Sequence, residues 1–289
     1  MQAEVCYALG REHLRRGEIH DGERLLRSAW ASDRTLVSAA AALARSHAQH
    51  GDRFDDAHAV LDDAFQDEDS TDLLLVVRAE VLIDEGRVED ARAAAQAGLD
   101  QASTETTRSA ARAALARVYN LEGIELAGTG EYEHALFCFK RAADHDPNWS
   151  SPHVNVGACF RNMGRENRAL AAYRRAVVVD PGNSIAHHNL GLLQRELGDL
   201  PAARVALAAA IDADTANIEA WVDLGATLTA AGERDGAETC FRQALDLDPD
   251  HEGACMRLAD LLTRDARYLE AAVLAERASD IATRRQRQP

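Results

Sequence analysis

Residues 150–183 read SSPHVNVGACFRNMGRENRALAAYRRAVVVDPGN, and residues 184–217 repeat the same pattern as SIAHHNLGLLQRELGDLPAARVALAAAIDADTAN. Each 34-residue copy has a glycine at its fifteenth place, Gly164 in the first and Gly198 in the second. Ala-rich amphipathic stretches lie before and after this glycine, and each stretch is long enough for a helix. Each copy therefore predicts one pair of helices joined by a short turn.

The same period extends along most of the chain. Asp-Pro dipeptides recur at 146–147, 180–181 and 248–249, at intervals of 34 and 68 residues. Asp214-Thr215 occupies the corresponding position in the repeat between the last two. The turn glycine recurs as Gly17, Gly51, Gly86, Gly130, Gly164, Gly198 and Gly232, with Ala266 in the eighth position. Glycine there suits a left-handed helix end, and proline suits the boundary between units. Self-similarity at this period is typical of helical repeat proteins.

Large and small residues also keep fixed places within the units. One unit contains Trp221, Leu224, Gly225, Leu228, Gly232, Ala237, Phe241, Ala244 and Pro249, and another contains Val156, Gly157, Phe160, Gly164, Ala169, Tyr173, Ala176 and Pro181. This spacing resembles the tetratricopeptide repeat. The resemblance implies an all-α fold, a right-handed superhelical solenoid of antiparallel helix pairs. About eight repeats are expected, at 3–36, 37–71, 72–105, 116–149, 150–183, 184–217, 218–251 and 252–285.

The domain organisation follows from one irregular interval. Ten extra residues lie in the interval between the third and fourth turn glycines, and the same interval contains the polar Ser/Thr run at 101–108. We predict repeats 1–3 within residues 1–105, repeats 4–8 within 106–283, and a basic tail at 284–289. Residues 101–110 are either a hinge or a rigid insertion, in which Ser103 or Thr104 caps a lengthened helix from about Glu105 to Leu126.

Composition excludes several function classes. The 289 residues carry 32 basic and 48 acidic side chains, a net charge of −16, which argues against nucleic-acid or anionic-membrane binding. No apolar run is long enough for a membrane span and the N-terminus lacks a leader pattern, so we expect a cytoplasmic protein. The five cysteines are widely spaced and predict buried thiols instead of disulfides or a zinc site.

No enzyme motif appears in the sequence. The glycines follow the repeat period instead of a phosphate-binding pattern, and no nucleophile elbow is present. His187 and His188 are adjacent, so on a helix they point about 100° apart and cannot converge on one metal ion. We therefore predict no enzymatic activity, no cofactor and no metal.

The resemblance places a binding groove on the first helices of the C-terminal repeats. In the family the second, fifth, sixth, ninth, twelfth and thirteenth places of each unit face this groove. The sixth place holds Asn155, Asn189 and Asp223, which resembles the asparagine ladder in the repeats of O-linked N-acetylglucosamine transferases. The remaining predicted groove residues are Arg161, Arg195, His188, Asn120 and Arg257. Amides can bind a peptide backbone of any sequence, and arginines suit an acidic peptide or a C-terminal carboxylate.

A second groove is expected in the N-terminal repeats, lined by Tyr7, Arg11, Arg15 and Arg45 and followed by Glu80 and Asp84. Tyr7 and Leu14 add an apolar anchor. The alternative for the C-terminal groove is that Arg195 pairs with Glu196 or Asp223 and that the other arginines are solvated. The alternative for the N-terminal groove is that the first repeats pack on a neighbouring molecule or cap the solenoid.

The predicted function is a non-enzymatic adaptor that binds an extended segment of a partner protein. One alternative is a self-assembling scaffold whose ends or N-terminal groove bind the next copy, so a homo-oligomer is possible. Another is a targeting subunit of an enzyme such as a glycosyltransferase. Fold alone does not fix the pathway.

Overall fold

The protein was analysed as a computed structural model, which describes residues 2–50, 53–66 and 71–287, with side chains to residue 284. Within these ranges it forms sixteen helices and no strand. The chain divides into two compact units, unit 1 (Met1–Pro147) and unit 2 (Asn148–Pro289). The predicted all-α repeat fold is confirmed. No described helix is both long enough and apolar enough to cross a membrane.

Unit 1 contains eight helices. They are α1 Gln2–Arg15, α2 Ile19–Ser32, α3 Val37–Gln49, α4 Phe54–Ala64, α5 Thr71–Asp84, α6 Val88–Asp100, α7 Glu105–Gly128 and α8 Tyr132–His145. Consecutive helices pack as pairs, and each first helix also packs against the pair before it. This nearest-neighbour packing is that of a helical solenoid.

Unit 2 contains the other eight helices and packs by the same rule. They are α9 Ser151–Asn162, α10 Glu166–Val179, α11 Ser184–Glu196, α12 Leu200–Ala213, α13 Ile218–Ala231, α14 Arg234–Leu247, α15 Glu252–Arg264 and α16 Tyr268–Arg287. Helix α16 extends to Arg287, so most of the predicted basic tail is helical, while Gln288 and Pro289 lie outside the described residues.

The turns have the predicted backbone conformation. Positive φ angles occur at Gly17, Gly86, Gly130, Gly164, Gly198 and Gly232, and also at Ala266. At Gly232, the C-cap of α13, φ is 81° and the amide donates to the Leu228 and Thr229 carbonyls. Ala266 adopts φ 59°, so the turn of the eighth repeat has the same left-handed conformation although it lacks glycine. Gly51, the second predicted turn glycine, lies outside the described residues.

In the four pairs from α7–α8 to α13–α14, a glycine on the first helix lies against a large residue on the second. A Cβ atom would stand 2.5 Å from the Tyr173 ring if placed on Gly157 and 2.6 Å from the Phe241 ring if placed on Gly225. Gly191 meets Leu207 in the same way, and Gly123 meets Phe139. Tyr173, Leu207 and Phe241 are almost fully buried. The close helix crossing predicted from these residues is therefore confirmed.

The ten-residue insertion forms a longer helix, as one of the two interpretations expected. Helix α7 begins at Glu105, and Thr104 caps it by accepting a hydrogen bond from the Thr107 amide. The Asp72 carboxylate accepts hydrogen bonds from the Ser103 amide at 2.9 Å and from the Thr107 hydroxyl at 3.0 Å. The two compact units meet at residues 147–148, so the predicted boundary near residue 105 falls inside unit 1. Bending at 101–110 stays a prediction.

Four of the five cysteines are buried, and Cys6 is half-buried. All five are free thiols. Burial raises the pKa of Cys240 to about 11, because the apolar surroundings disfavour the thiolate. The prediction of small buried thiols holds for Cys138, Cys159, Cys240 and Cys255.

Candidate functional site

The predicted C-terminal groove residues lie on the first helices of unit 2. The sixth places of the four repeats that begin at residues 150, 184, 218 and 252 hold Asn155, Asn189, Asp223 and Arg257. These residues lie on α9, α11, α13 and α15, respectively. Asn189 uses its amide nitrogen to donate to the Ile185 carbonyl of its own helix, at 3.0 Å. One of the predicted ladder amides therefore has part of its hydrogen-bonding capacity occupied within its own helix.

Asp223 is the centre of a polar cluster in unit 2. Its carboxylate accepts from His188 Nε2 at 2.9 Å and lies 3.0 Å from the Arg195 guanidinium. Burial alone would raise the pKa of Asp223, but the His188 hydrogen bond and the Arg195 charge hold it below its usual value. The cluster holds the Asp223 carboxylate ionised on the groove side of α13 and links α11 to α13 through His188 and Arg195.

Arg161 is paired in the same manner, with Glu196 of the next repeat. The sequence alternative that Arg195 pairs with Asp223 is thus observed, whereas Glu196 binds Arg161 instead of Arg195. Both pairs link first helices one repeat apart. They neutralise Arg161 and Arg195, the two arginines that were expected to attract an acidic ligand.

Asn120, at the fifth place of the repeat at 116–149, lies on α7 in unit 1 and is 7% exposed. The fifth places Val154 and Val222 are similarly buried, at 8% and 4% exposed. Arg257, by contrast, is exposed on α15.

A different set of links joins the N-terminal ends of successive first helices. Asn183 and Asn217 cap α11 and α13, accepting from the amides of Ala186 and Ala220. Their side-chain nitrogens also donate to Ser150 Oγ at 2.7 Å and to Ser184 Oγ at 2.9 Å, respectively. Each asparagine, the last residue of its repeat, therefore caps the first helix of the next repeat and binds the serine that begins its own. Sequence reasoning had missed these links, although the 34-residue spacing of the serines and asparagines is visible in the sequence.

Unit 1 contains a cleft of about 650 Å³ between α1 and α3. All four residues of the predicted N-terminal groove line it. The complete lining is Tyr7, Arg11, Leu14, Arg15, Ser38, Ala41, Ala42, Arg45, Ser46, Gln49, His50 and Leu73. No described lining residue is acidic. The predicted groove did not include several of the other lining residues, namely Ser38, Ala41, Ala42, Ser46, Gln49, His50 and Leu73.

The three arginines of this cleft are not equivalent. Arg15 pairs with Glu12 at 2.8 Å, and Arg45 pairs with Glu80 on α5. The Arg11 guanidinium contacts only the phenol of Tyr7, at 3.4 Å, and lies 5.6 Å from the centre of that ring. Arg11 is therefore the cation in the cleft that has no carboxylate partner among the described residues.

A buried charged cluster lies directly behind the cleft. Glu23 accepts from Ser46 at 2.9 Å and pairs with Arg53. His47 is almost fully buried, with Nε2 3.7 Å from the Glu23 carboxylate. Burial lowers the pKa of His47. The cluster joins α2, α3 and the start of α4, and so fixes the helix that forms the cleft floor.

Two family models match the chain. A tetratricopeptide-repeat model matches residues 41–106 and 160–218, and the model of the middle TPR-like domain of cilia and flagella-associated protein 70 matches residues 204–288. The chain belongs to the tetratricopeptide-repeat family. Such repeats are typical of protein-interaction modules. The likeness to O-linked N-acetylglucosamine transferase repeats stays an expectation from the sequence.

Two solved structures with the same fold are MamA from Desulfovibrio magneticus RS-1 and PilF from Pseudomonas aeruginosa. MamA is 21% identical with a TM-score of 0.52, covering 60% of this tetratricopeptide-repeat chain and 97% of MamA. PilF is 22% identical with a TM-score of 0.55, covering 58% of this chain and 77% of PilF. No curated protein sequence matches the chain. At these identities the likeness supports the fold alone.

The described residues contain no cluster of three or more His, Cys, Asp or Glu side chains arranged to hold a metal ion. His187 and His188 have separate partners. His187 Nε2 lies 3.0 Å from the Pro181 carbonyl, and His188 binds Asp223.

Proposed function

We propose that the protein is a non-enzymatic adaptor that binds an extended segment of a partner protein on the first helices of its repeats. The observation that carries the proposal is the cleft between α1 and α3, which combines an apolar floor with cations and has no acid in its described lining. Concave sites with a few placed polar groups are the usual form of a ligand pocket.

The cleft favours a segment that is acidic or ends in a free carboxylate. Arg11 can give two parallel hydrogen bonds to a carboxylate, and Tyr7, Leu14 and Leu73 can receive a neighbouring apolar side chain. The groove of unit 2 is the second part of the proposal. Asn155 and Asn189 would hold the backbone of the segment there, while Arg161 and Arg195 mainly order the groove through their own ion pairs.

Fluorescence anisotropy with labelled peptides tests the proposal. The probes are an acidic peptide with a free C-terminus, the same peptide amidated, and its Asn/Gln counterpart. Arg11→Gln should weaken binding of the acidic peptide about tenfold, equivalent to about 1.4 kcal/mol. Arg174→Gln, at an exposed arginine of α10, is the matched control and should bind like wild type.

The double substitution Asn155→Ala/Asn189→Ala tests the groove of unit 2 separately. Capture of partners from the native lysate, read by mass spectrometry, should lose a wild-type partner with this variant if the groove binds it. Partners that persist in both the cleft and the groove variants would contradict the adaptor proposal at these sites.

A further inference from the structure

Helix α1 exposes two large apolar side chains at places that are buried elsewhere. Val5 is 53% exposed and Leu9 is 48% exposed. They occupy the third and seventh places of the repeat at 3–36. In α11, α13 and α15 the same two places are at most 9% exposed, and they hold Ala186, Leu190, Ala220, Leu224, Ala254 and Leu258.

In those repeats the two places contact the preceding repeat. Ala220 and Leu224 share a core cluster with Leu207, Ala210 and Ile211 of α12, the second helix of the repeat before. The third and seventh places are therefore the surface by which one repeat stacks on another. On α1 this stacking surface, which we call the α1 face, is open to solvent.

Helices α15 and α16 present the complementary surface, an apolar groove of about 280 Å³. Its lining is Glu252, Met256, Ala259, Asp260, Ala275, Ala278, Ser279 and Ala282. Ala275 and Ala278 lie one period after Phe241 and Ala244, which cluster with the first helix of the following repeat. The α15–α16 groove thus has the register of a surface that receives a first helix.

The groove is open because two small residues meet there. In the preceding repeat Phe241 fills the space beside Gly225. The corresponding residues here are Ala275 and Ala259, so volume that an aromatic ring occupies elsewhere is vacant. Met256, at the edge of the groove, is 52% exposed. A leucine side chain from an incoming helix would fill this space.

Charges at the two surfaces are also complementary. In unit 1, Arg45 and Glu80 occupy the ninth places of successive repeats and form an ion pair. Asp260, beside the α15–α16 groove, and Arg11, beside the α1 face, occupy the same ninth places. Stacking the α1 face on the groove would place this acid and this base in the same relation.

We propose that a second copy of the chain is the occupant: α1 of one molecule packs into the α15–α16 groove of another, with Leu9 against Ala275 and Ala278 and Arg11 facing Asp260. Such an interface is heterologous, because different surfaces meet, so each molecule can bind one copy at each surface. The assembly grows head to tail and continues the repeat stacking from molecule to molecule.

Sedimentation velocity over a wide range of concentration tests the proposal on the full chain. Wild type should form species that grow with concentration. Leu9→Arg, which breaks the α1 face, and Met256→Arg, which breaks the groove, should each remain monomeric. Both positions are exposed, so circular dichroism should show unchanged helix content. Val205→Arg, at an exposed valine of α12 outside both surfaces, is the control and should assemble like wild type.

Mixing the two broken variants gives the decisive result. Leu9→Arg keeps its groove and Met256→Arg keeps its α1 face, so the mixture should form one-to-one dimers and no larger species. A wild-type protein that is monomeric at every concentration would overturn the proposal, and so would assembly that persists in Leu9→Arg, or a mixture that stays monomeric. Leu9 and Met256 lie outside the cleft lining, so these two substitutions test assembly without changing the cleft. Arg11 belongs to both surfaces and is therefore left unchanged in the assembly variants.

Discussion

Gly123 on α7 lies directly against Phe139 on α8, so closely that a Cβ atom on Gly123 would stand 2.5 Å from Cε1 of the ring. Phe139 is almost fully buried and has no free volume to move into. Gly123→Ala should therefore lower the free energy of unfolding by about 1–3 kcal/mol, the usual cost of overpacking a core. Urea denaturation followed by circular dichroism measures this change.

The same helix supplies the control for this substitution. A Cβ atom on Gly128 would meet no other atom within 4 Å. Gly128→Ala should leave stability unchanged or raise it by up to about 1 kcal/mol, because alanine favours the helix more than glycine does. Equal changes in stability for the two variants would mean that the contact with Phe139 does not set the requirement for glycine at position 123.

Asp223→Asn should destabilise unit 2. Asparagine offers one acceptor oxygen where the carboxylate offers two, so either His188 or Arg195 loses its bond, at a cost of about 1–3 kcal/mol. The folded protein holds the pKa of Asp223 below the unfolded value of 3.8. The stabilisation of the fold by the Asp223 carboxylate is therefore fully present above pH 3.8. It is lost as the pH falls through the folded pKa.

Unfolding at a series of pH values measures this effect. The difference between wild type and Asp223→Asn should be largest near neutral pH and should shrink as the solution becomes more acidic than pH 3.8. Asp212→Asn, at an exposed position of α12, should change stability little at any pH. A difference that is constant from neutral to acid pH would show that the carboxylate charge is not what stabilises the cluster.

Asn217 tests the links between neighbouring repeats. Asn217→Ala removes the cap of α13 and the hydrogen bond to Ser184, and should cost about 1–2 kcal/mol. Asn217→Asp keeps the capping oxygen but loses the donor, so its stability should fall between those of wild type and the alanine variant. Thermal unfolding ranks the three proteins. Asn167→Ala, on the exposed side of α10, should match wild type, and an aspartate variant as weak as alanine would contradict a role for the Ser184 bond.

Asp72 tests the interpretation of residues 101–110 as a rigid insertion. Its carboxylate binds Ser103 and Thr107, so in wild type the insertion should resist trypsin at Arg108. Asp72→Ala should raise the rate of cleavage at Arg108 roughly tenfold by favouring local opening. Mass spectrometry of timed digests measures this rate. Asp144→Ala is the control, and rapid cleavage of wild type at Arg108 would favour the hinge instead.

The repeat pattern was sufficient to predict helix pairs, turns and close crossings, since each depends on residues at fixed spacing. Once the two helices of a repeat pair, the spacing alone places Gly157 against Tyr173. The ion pairs were harder to predict, because Arg195 can reach Glu196 or Asp223 and only packed side chains decide between them. The burial of Asn120 could have been expected, because the same place holds the buried residues Val154 and Val222 in other repeats. The cleft beside Arg11 depends on small residues in α3, where the repeat pattern is weakest.

The links made by Asn183 and Asn217 have a consequence for how such a chain changes over evolutionary time. Each link spans one repeat and no more. Removing residues 184–217 would delete one asparagine together with its serine partner, while Asn183 would keep Ser150 and come to precede Ile218 as Asn217 does now. Loss or duplication of a whole unit therefore leaves no unmatched asparagine–serine link, so these links do not themselves oppose a change of length in steps of 34 residues.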